Sequence, residues 1–344
     1  NFVFKEIYGT IIYGKNKKTL IEVDEMKKID KFRVDGNKKI KLKEYQKVEE
    51  LSNVDEQKAL LKMEENKEKI SKLQDKLYAS NKYGILLIFQ AMDAAGKDST
   101  IKHVLSGINP QGFQVFNFKQ PNSEEIDHDY LWRTNKALPE RGRIGVFNRS
   151  YYEEVLVVKV HNLVKTSSIP EEYITKDIWD RRYSHIKNME KYLIENGIIP
   201  VKIFLNVSKE EQKNRFLERI ENPEKNWKFA SGDVTERKYW DDYQNAYEEA
   251  INQTATKDVP WYVIPADKKW YARYQVSEIV LNVLENLKLD YPVLSDEEKA
   301  KLAECKNILL SEDGKIAPVT ANIATPKEID SKKKKKKNKK KDKK

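Results

Sequence analysis

Three clusters of charged residues have types and spacings that suit phosphate chemistry. The first is Asp93-Ala94-Ala95-Gly96-Lys97-Asp98-Ser99-Thr100. Ala94, Ala95 and Gly96 carry almost no side chain, so backbone N–H groups can close around phosphate oxygens there. A helix starting at Lys97 adds the positive end of its dipole, with Asp98, Ser99 and Thr100 in its first turn. The Lys97 ammonium can act as a point charge on a transferring phosphate. The stretch departs from G-x-x-x-x-G-K-[ST], because Ala91 replaces the first glycine and Asp98 follows the lysine. Asp93 inside such a loop calls for a cation between its carboxylate and the phosphates. The competing reading of Gly96-Lys97 is an ordinary turn into a helix.

The second cluster is Asn148-Arg149-Ser-Tyr-Tyr-Glu153-Glu154. Where a phosphate-loop protein usually has an Asp that holds Mg²⁺, Asn148 can orient a metal-bound water but brings no charge. Arg149 is placed to grip a phosphoryl group bidentately. Glu153 and Glu154 suit contact with metal, ribose or base, or form a pair that complements a helix dipole. In the third cluster, Ser208 and Glu211 read as a capping box opening a helix. Arg215 and Arg219 are then i,i+4 on one face, where two guanidinium groups reaching over a phosphate loop would neutralise a phosphoryl transition state. Surface salt bridges to Glu211 and Glu218 are the alternative. Lys228 and Arg237 follow in a segment bracketed by Pro223 and Gly232, which reads as a lid of about 208–240.

These clusters need a scaffold that brings them to one edge. Ile85 to Phe89 is an unbroken apolar run, the pattern of a strand buried on both faces. Further strands are expected at Phe113–Phe118, Ile144–Phe147, Ile199–Leu205 and Trp261–Ile264, with helices at 97–106, 123–136, 151–160 and within 171–195. Alternation of this kind predicts an α/β fold: a P-loop kinase-like three-layer sandwich with a five-stranded parallel sheet and ligands at the carboxyl ends of its strands. Residues 41–80, with Leu60, Met63, Ile70, Leu73 and Leu77 near helical spacing, predict a long helix that Asn81 and Gly84 end. The expected organisation is a 1–82 N-terminal extension, an 83–290 core, a 291–331 appendage and a 332–344 tail.

Composition narrows the function classes. The chain has 344 residues, 39% of them hydrophobic, and one cysteine, Cys305. That cysteine count excludes an internal disulfide framework and fits a reducing compartment, so a cytoplasmic location is expected. No apolar run approaches the ~20 residues of a membrane span. With four His and one Cys and no pair at ligand spacing, a zinc site is not expected. The net charge of +10 lies entirely in residues 332–344, which hold eleven Lys and one Asp, so the rest of the chain is neutral. A lysine run of this kind is expected to be disordered. It can bind nucleic acid or another polyanion through counterion release, or merely solubilise the terminus.

On Gln90-Ala-Met-Asp-Ala-Ala-Gly-Lys-Asp-Ser-Thr100, Asn109-Pro-Gln-Gly112, Phe147-Asn-Arg-Ser-Tyr-Tyr-Glu-Glu-Val-Leu156, Pro223-Glu-Lys-Asn-Trp-Lys-Phe229 and Trp261-Tyr-Val-Ile-Pro-Ala-Asp-Lys-Lys-Trp270, the chain resembles the polyphosphate kinase 2 family over roughly residues 40–290. The Tyr-Tyr-Glu-Glu-Val-Leu form is most similar to the branch that phosphorylates nucleoside mono- and diphosphates. The resemblance implies Mg²⁺-dependent phosphoryl transfer from inorganic polyphosphate to AMP and ADP, with adenine or guanine nucleotides as partners, in a homo-oligomer. It also implies Asp93 and Lys97 as the phosphate-loop pair, with Arg149, Arg215 and Arg219 as the arginines of the site. Nucleic acid is an expected partner only through the lysine tail. Two other readings stay open: an ATP-dependent nucleoside monophosphate kinase, and a polyanion-binding protein with a vestigial phosphate loop. Deleting residues 332–344 is predicted to leave nucleotide phosphorylation intact, and a truncated chain that lost its activity would instead favour the polyanion-binding reading.

Overall fold

The computed structural model describes residues 29–51 and 54–312. The lysine tail and residues 313–331 of the expected appendage lie outside them. The strands are β1 (Arg33–Val34), β2 (Gly84–Ala91), β3 (Phe113–Asn117), β4 (Ile144–Asn148), β5 (Ile198–Asn206) and β6 (Trp261–Pro265), in the order β1-β6-β5-β2-β4-β3. Five of them pair in parallel, as the alternating pattern predicts. The sixth, β1, pairs antiparallel with β6 and corrects the expected count of five. Two residues are too few for an apolar alternation to register. Its place is secured instead by Phe32, buried edge-on against Tyr271, and by the Val263 N–H donating to the Phe32 carbonyl at 2.9 Å.

Every residue of β2 and β5 is buried, which requires cover on both faces of the sheet. The cover comes from α1 (Glu56–Ser80), α2 (Lys97–Val104), α3 (Ile178–Glu195), α4 (Lys209–Glu221), α6 (Trp240–Thr254) and α7 (Lys269–Asn286), while α5 (Ser231–Glu236) buries no residue. Helix α7 packs on α1 and α2, and α6 packs on α3. Helix α1 starts later than residue 41, because the Asp55 side chain accepts from the Lys58 N–H and caps it there. It ends as expected at Asn81, in the left-handed conformation. The helix expected over 123–136 is two short turns, Ser123–Ile126 and Trp132–Asn135. Between them Asp129 accepts from the Leu131 N–H, an Asx-type turn that competes with helix. A separate unit, 292–344, contains the exposed helix α8 (Asp296–Glu312). Among the described residues no helix is long and apolar enough to cross a membrane.

One buried ion pair ties the core beneath the second cluster. Lys202 of β5 donates at 2.7 Å to Glu190 of α3 and at 2.9 Å to the Thr254 carbonyl of α6. Tyr151 and Tyr152, which follow Arg149 in the chain, donate to the same Glu190 at 3.0 and 2.8 Å. Removing one member leaves an uncompensated buried charge, at a cost of roughly 3–5 kcal/mol. Lys202→Met is therefore predicted to lower unfolding free energy by about that much in urea titration, and adding Glu190→Gln to recover part of the loss. Equal stability of the single variant and the unaltered protein would refute this.

Candidate active site

The loop after β2 takes a shape that most L-residues avoid. Ala94 has φ +58° and Gly96 φ +105°, so left-handed residues alternate with right-handed ones and the peptide groups open into a concavity. Ser99 Oγ and the Thr100 N–H both hold the Gly96 carbonyl, at 3.0 and 2.9 Å, which starts α2 there. Thr100 is buried and belongs to the packing under the loop. Lys97 Nζ donates back to the Ala91 carbonyl at 3.1 Å. Burial pushes its ammonium pKa below the ordinary lysine value and Arg149 pushes the same way, while Asp93, Glu153 and Asp98 oppose them.

The second cluster meets this loop across the sheet. In the parallel pairing Phe89 lies beside Asn148, so Arg149 leaves β4 next to the loop, itself at φ +65°. Its Nη2 donates to Asp93 Oδ1 at 2.9 Å, and Nη1 lies 3.8 Å from Glu153. Glu153 foremost raises the Arg149 pKa, so the guanidinium stays charged. Asn148 donates from Nδ2 to Asp98 Oδ1 at 2.6 Å, which assigns that amide to bracing α2. Glu154 pairs with the buried Arg182 at 3.0 Å and so braces α3, while burial raises its carboxyl pKa. Arg182 lies 4.0 Å over the ring of Tyr130, whose hydroxyl burial pushes up to about 12.

The third cluster divides. The Ser208 side chain accepts from the Glu211 N–H at 3.1 Å, but the Glu211 carboxylate turns to Arg215 Nε at 2.7 Å and the Ser208 N–H goes to Asp267. Only half of the expected capping box forms. Arg215 is buried, and its guanidinium binds the carbonyls of Ala94, Ala95, Ala266 and Asp267. The expectation that Arg215 and Arg219 present one cationic face to substrate therefore fails for Arg215, which has turned inwards. Arg219 reaches the Lys228 carbonyl and Asp233, both at the long distance of 3.4 Å. Lys228 is exposed, its ammonium 4.9 Å over the Trp227 ring. Arg237 donates to Gln212 Oε1 at 2.6 Å, and Gln212 Nε2 donates to the Asp93 carbonyl at 2.9 Å. Gln212 and Asp233 escape a sequence reading that follows charge: Gln212 is neutral, and Asp233 sits between Gly and Val without a patterned neighbour. The carboxyl of Asp233 is pushed up by burial and then by Asp93.

A cavity of about 1090 Å³ opens beside these groups, with Asp93, Arg149, Glu153, Asp233, Tyr130 and Ile169 among its lining residues. Among the described residues no three His, Cys, Asp or Glu side chains stand close enough to cage a metal. The donor set instead fits a hard cation that takes one carboxylate from the protein and the rest from substrate phosphates. Asp93, about a third exposed with only Oδ1 engaged, has an oxygen to offer such a cation.

Residues 50–292 match the family model of polyphosphate kinase 2. The chain belongs to the polyphosphate kinase 2 family. It is 54% identical over 245 residues to an ADP-polyphosphate phosphotransferase of Rhodopseudomonas palustris, covering 71% of this chain and 85% of that one. To an AMP/ADP-polyphosphate phosphotransferase of Meiothermus ruber it is 47% identical over 224 residues, 65% of this chain and 80% of that one. The crystal structure of polyphosphate kinase 2 from Arthrobacter aurescens TC1 superposes with a TM-score of 0.70 at 37% identity, covering 79% of this chain and 95% of that one. Phosphotransferases of this family generally need a divalent metal.

The lowered Lys97 pKa has a kinetic consequence. Losing the proton removes the charge that holds phosphate, so kcat/KM is predicted to fall as pH rises, starting below the ordinary lysine value of 10.5. Arg149→Met removes a cation that depresses Lys97, and the alkaline limb of its residual activity is predicted to move to higher pH. A limb that stays put in this variant would exclude Lys97 as its source.

Proposed function

We propose that the chain is a polyphosphate:nucleotide phosphotransferase that makes ADP from AMP and ATP from ADP, on a P-loop kinase-like scaffold and with Mg²⁺ as the cation. The observation that carries this reading is the meeting of Asp93 and Arg149, from two adjacent strand ends, on the wall of a cavity large enough for a nucleotide, with Lys97 close enough to feel both charges. The names of the two relatives agree on polyphosphate and ADP, and the second adds AMP.

In the reaction, a phosphate oxygen of the acceptor nucleotide attacks the terminal phosphorus of polyphosphate. The bond to the bridging oxygen breaks, and the shortened polyphosphate leaves with that electron pair. The nucleotide phosphate is ionised near neutral pH, so no strong general base is required. The loop after β2 cradles the transferring group with Gly96 and the first-turn N–H groups of α2, and Lys97 and Arg149 offset its charge. Arg219, Lys228 and Arg237 lie on the lid segment, where they suit the flanking phosphates of a polyanion. Asp93 would hold the cation, which would supply Lewis-acid neutralisation of phosphate charge. The single cysteine, exposed Cys305, suits a cytoplasmic setting, and we propose a homo-oligomer as the working form.

Phosphorus NMR with Mg²⁺ and AMP, offering polyphosphate in one sample and ATP in another, tests the donor. ADP and ATP are expected with polyphosphate. Transfer from ATP alone would make the chain a conventional nucleotide kinase. Lys97→Ala and Asp93→Ala are each expected to slow turnover by roughly 10²–10³-fold, the scale for losing a preorganised charge, with the thermal unfolding midpoint held.

A further inference from the structure

Arg215 commits its whole donor capacity to the protein. Nε donates to Glu211 at 2.7 Å, Nη1 to the Ala94 and Ala95 carbonyls at 3.0 and 2.8 Å, and Nη2 to the Ala266 and Asp267 carbonyls at 2.6 and 2.9 Å. A guanidinium has five N–H donors, so none is left for a substrate. The side chain is 4% exposed. Its acceptors come from two turns far apart in sequence, the loop after β2 and the turn after β6.

The effect on the loop follows from peptide geometry. In a planar trans peptide the C=O and N–H point in opposite directions. With the Ala95 carbonyl drawn towards Arg215, the Gly96 N–H of the same plane must point away from it. The neighbouring Ala95 N–H closes the loop's own turn on the Met92 carbonyl at 3.2 Å, while the Gly96 N–H meets no acceptor among the described residues. Gly96 and the left-handed Ala94 thus frame a concavity whose free donor is set by a side chain from α4.

We propose that Arg215 is a positioning residue for phosphoryl transfer: it orients the Ala95–Gly96 peptide so that the Gly96 N–H is presented to phosphate, and it does not itself touch the transferring group. This rests on the phosphate-loop reading given under Proposed function. Lysine cannot substitute, because one ammonium with three donors cannot span four carbonyls in two directions and a carboxylate.

Ala95–Gly96 is the only Ala-Gly step in the chain. Full-length protein labelled with ¹³C-carbonyl alanine and ¹⁵N-glycine therefore gives a single carbonyl–amide correlation, from this peptide alone. Without ligand, the peak is expected to move in Arg215→Lys, to move less in Glu211→Ala, and to stay in place in Arg219→Lys. Inorganic tripolyphosphate should shift the peak of the unaltered protein. Its affinity should weaken roughly tenfold in Arg215→Lys, about what one charge-assisted hydrogen bond supplies, with the kinetic loss appearing in KM for polyphosphate. An unmoved peak with unchanged tripolyphosphate affinity and a loss confined to kcat would overturn the proposal and return Arg215 to the transition state. If Arg215→Lys does not fold, Glu211→Ala decides by the same readings. An unaltered protein whose peak ignores tripolyphosphate would sink the phosphate-loop reading instead, while the ligand-free comparison still judges Arg215.

Discussion

The in-register parallel pairing of β2 with β4 places one constraint on everything around the site. With Phe89 beside Asn148, the two chains leave the sheet together, and Asp93 and Arg149 meet at 2.9 Å. Both exits are conformationally costly: Ala94 and Arg149 are non-glycine residues in the left-handed region, at roughly 1–2 kcal/mol each. What over-determines them is the surrounding core. All eight residues of β2 are buried, and the buried Gln90 reaches Ser150 Oγ at 3.3 Å, tying the start of one exit to the end of the other.

Charge balance then explains why so many carboxylates accompany a site built for anions. Lys97 and Arg149 repel each other in partly desolvated surroundings, and Asp93, Glu153 and Asp98 offset this. On the proposed reading a polyanion in the loop would take over that balancing role, with Asp93 left to hold a cation. Below, the Lys202–Glu190 pair anchors Tyr151 and Tyr152, so the segment that carries Arg149 and Glu153 is fixed from the core side as well.

The segment 208–240, proposed as a lid, is held unevenly. At its base Arg215 and Gln212 bind the loop carbonyls of Ala94, Ala95 and Asp93 at 2.8–3.0 Å. Farther out, the contacts of Arg219 stretch to 3.4 Å and Trp227 is 79% exposed. Few buried apolar contacts are the feature of a region that opens at low cost. A rigid base beneath a loosely held outer part suits an enzyme that must admit a long polymer yet keep its phosphate loop in shape.

Local pattern determined a good deal here. Apolar stretches marked the five parallel strands, unbroken only in part, small residues before Lys97 marked the loop, and their order along the chain placed Asp93 and Arg149 at the same sheet edge. These features were legible because strand burial and turn chemistry are written in consecutive residues. Tertiary structure decided what each charge does. Whether an arginine faces substrate or a backbone carbonyl depends on which distant acceptors lie within reach, so Arg215 turned inwards to Ala266 and Asp267, while Asn148 and Glu154 became braces for Asp98 and Arg182. Gln212 and the two-residue β1 gave no local signal at all. Their roles arise from partners 119 residues away in one case and from pairing with β6 in the other, and spacing within a segment carries no record of either.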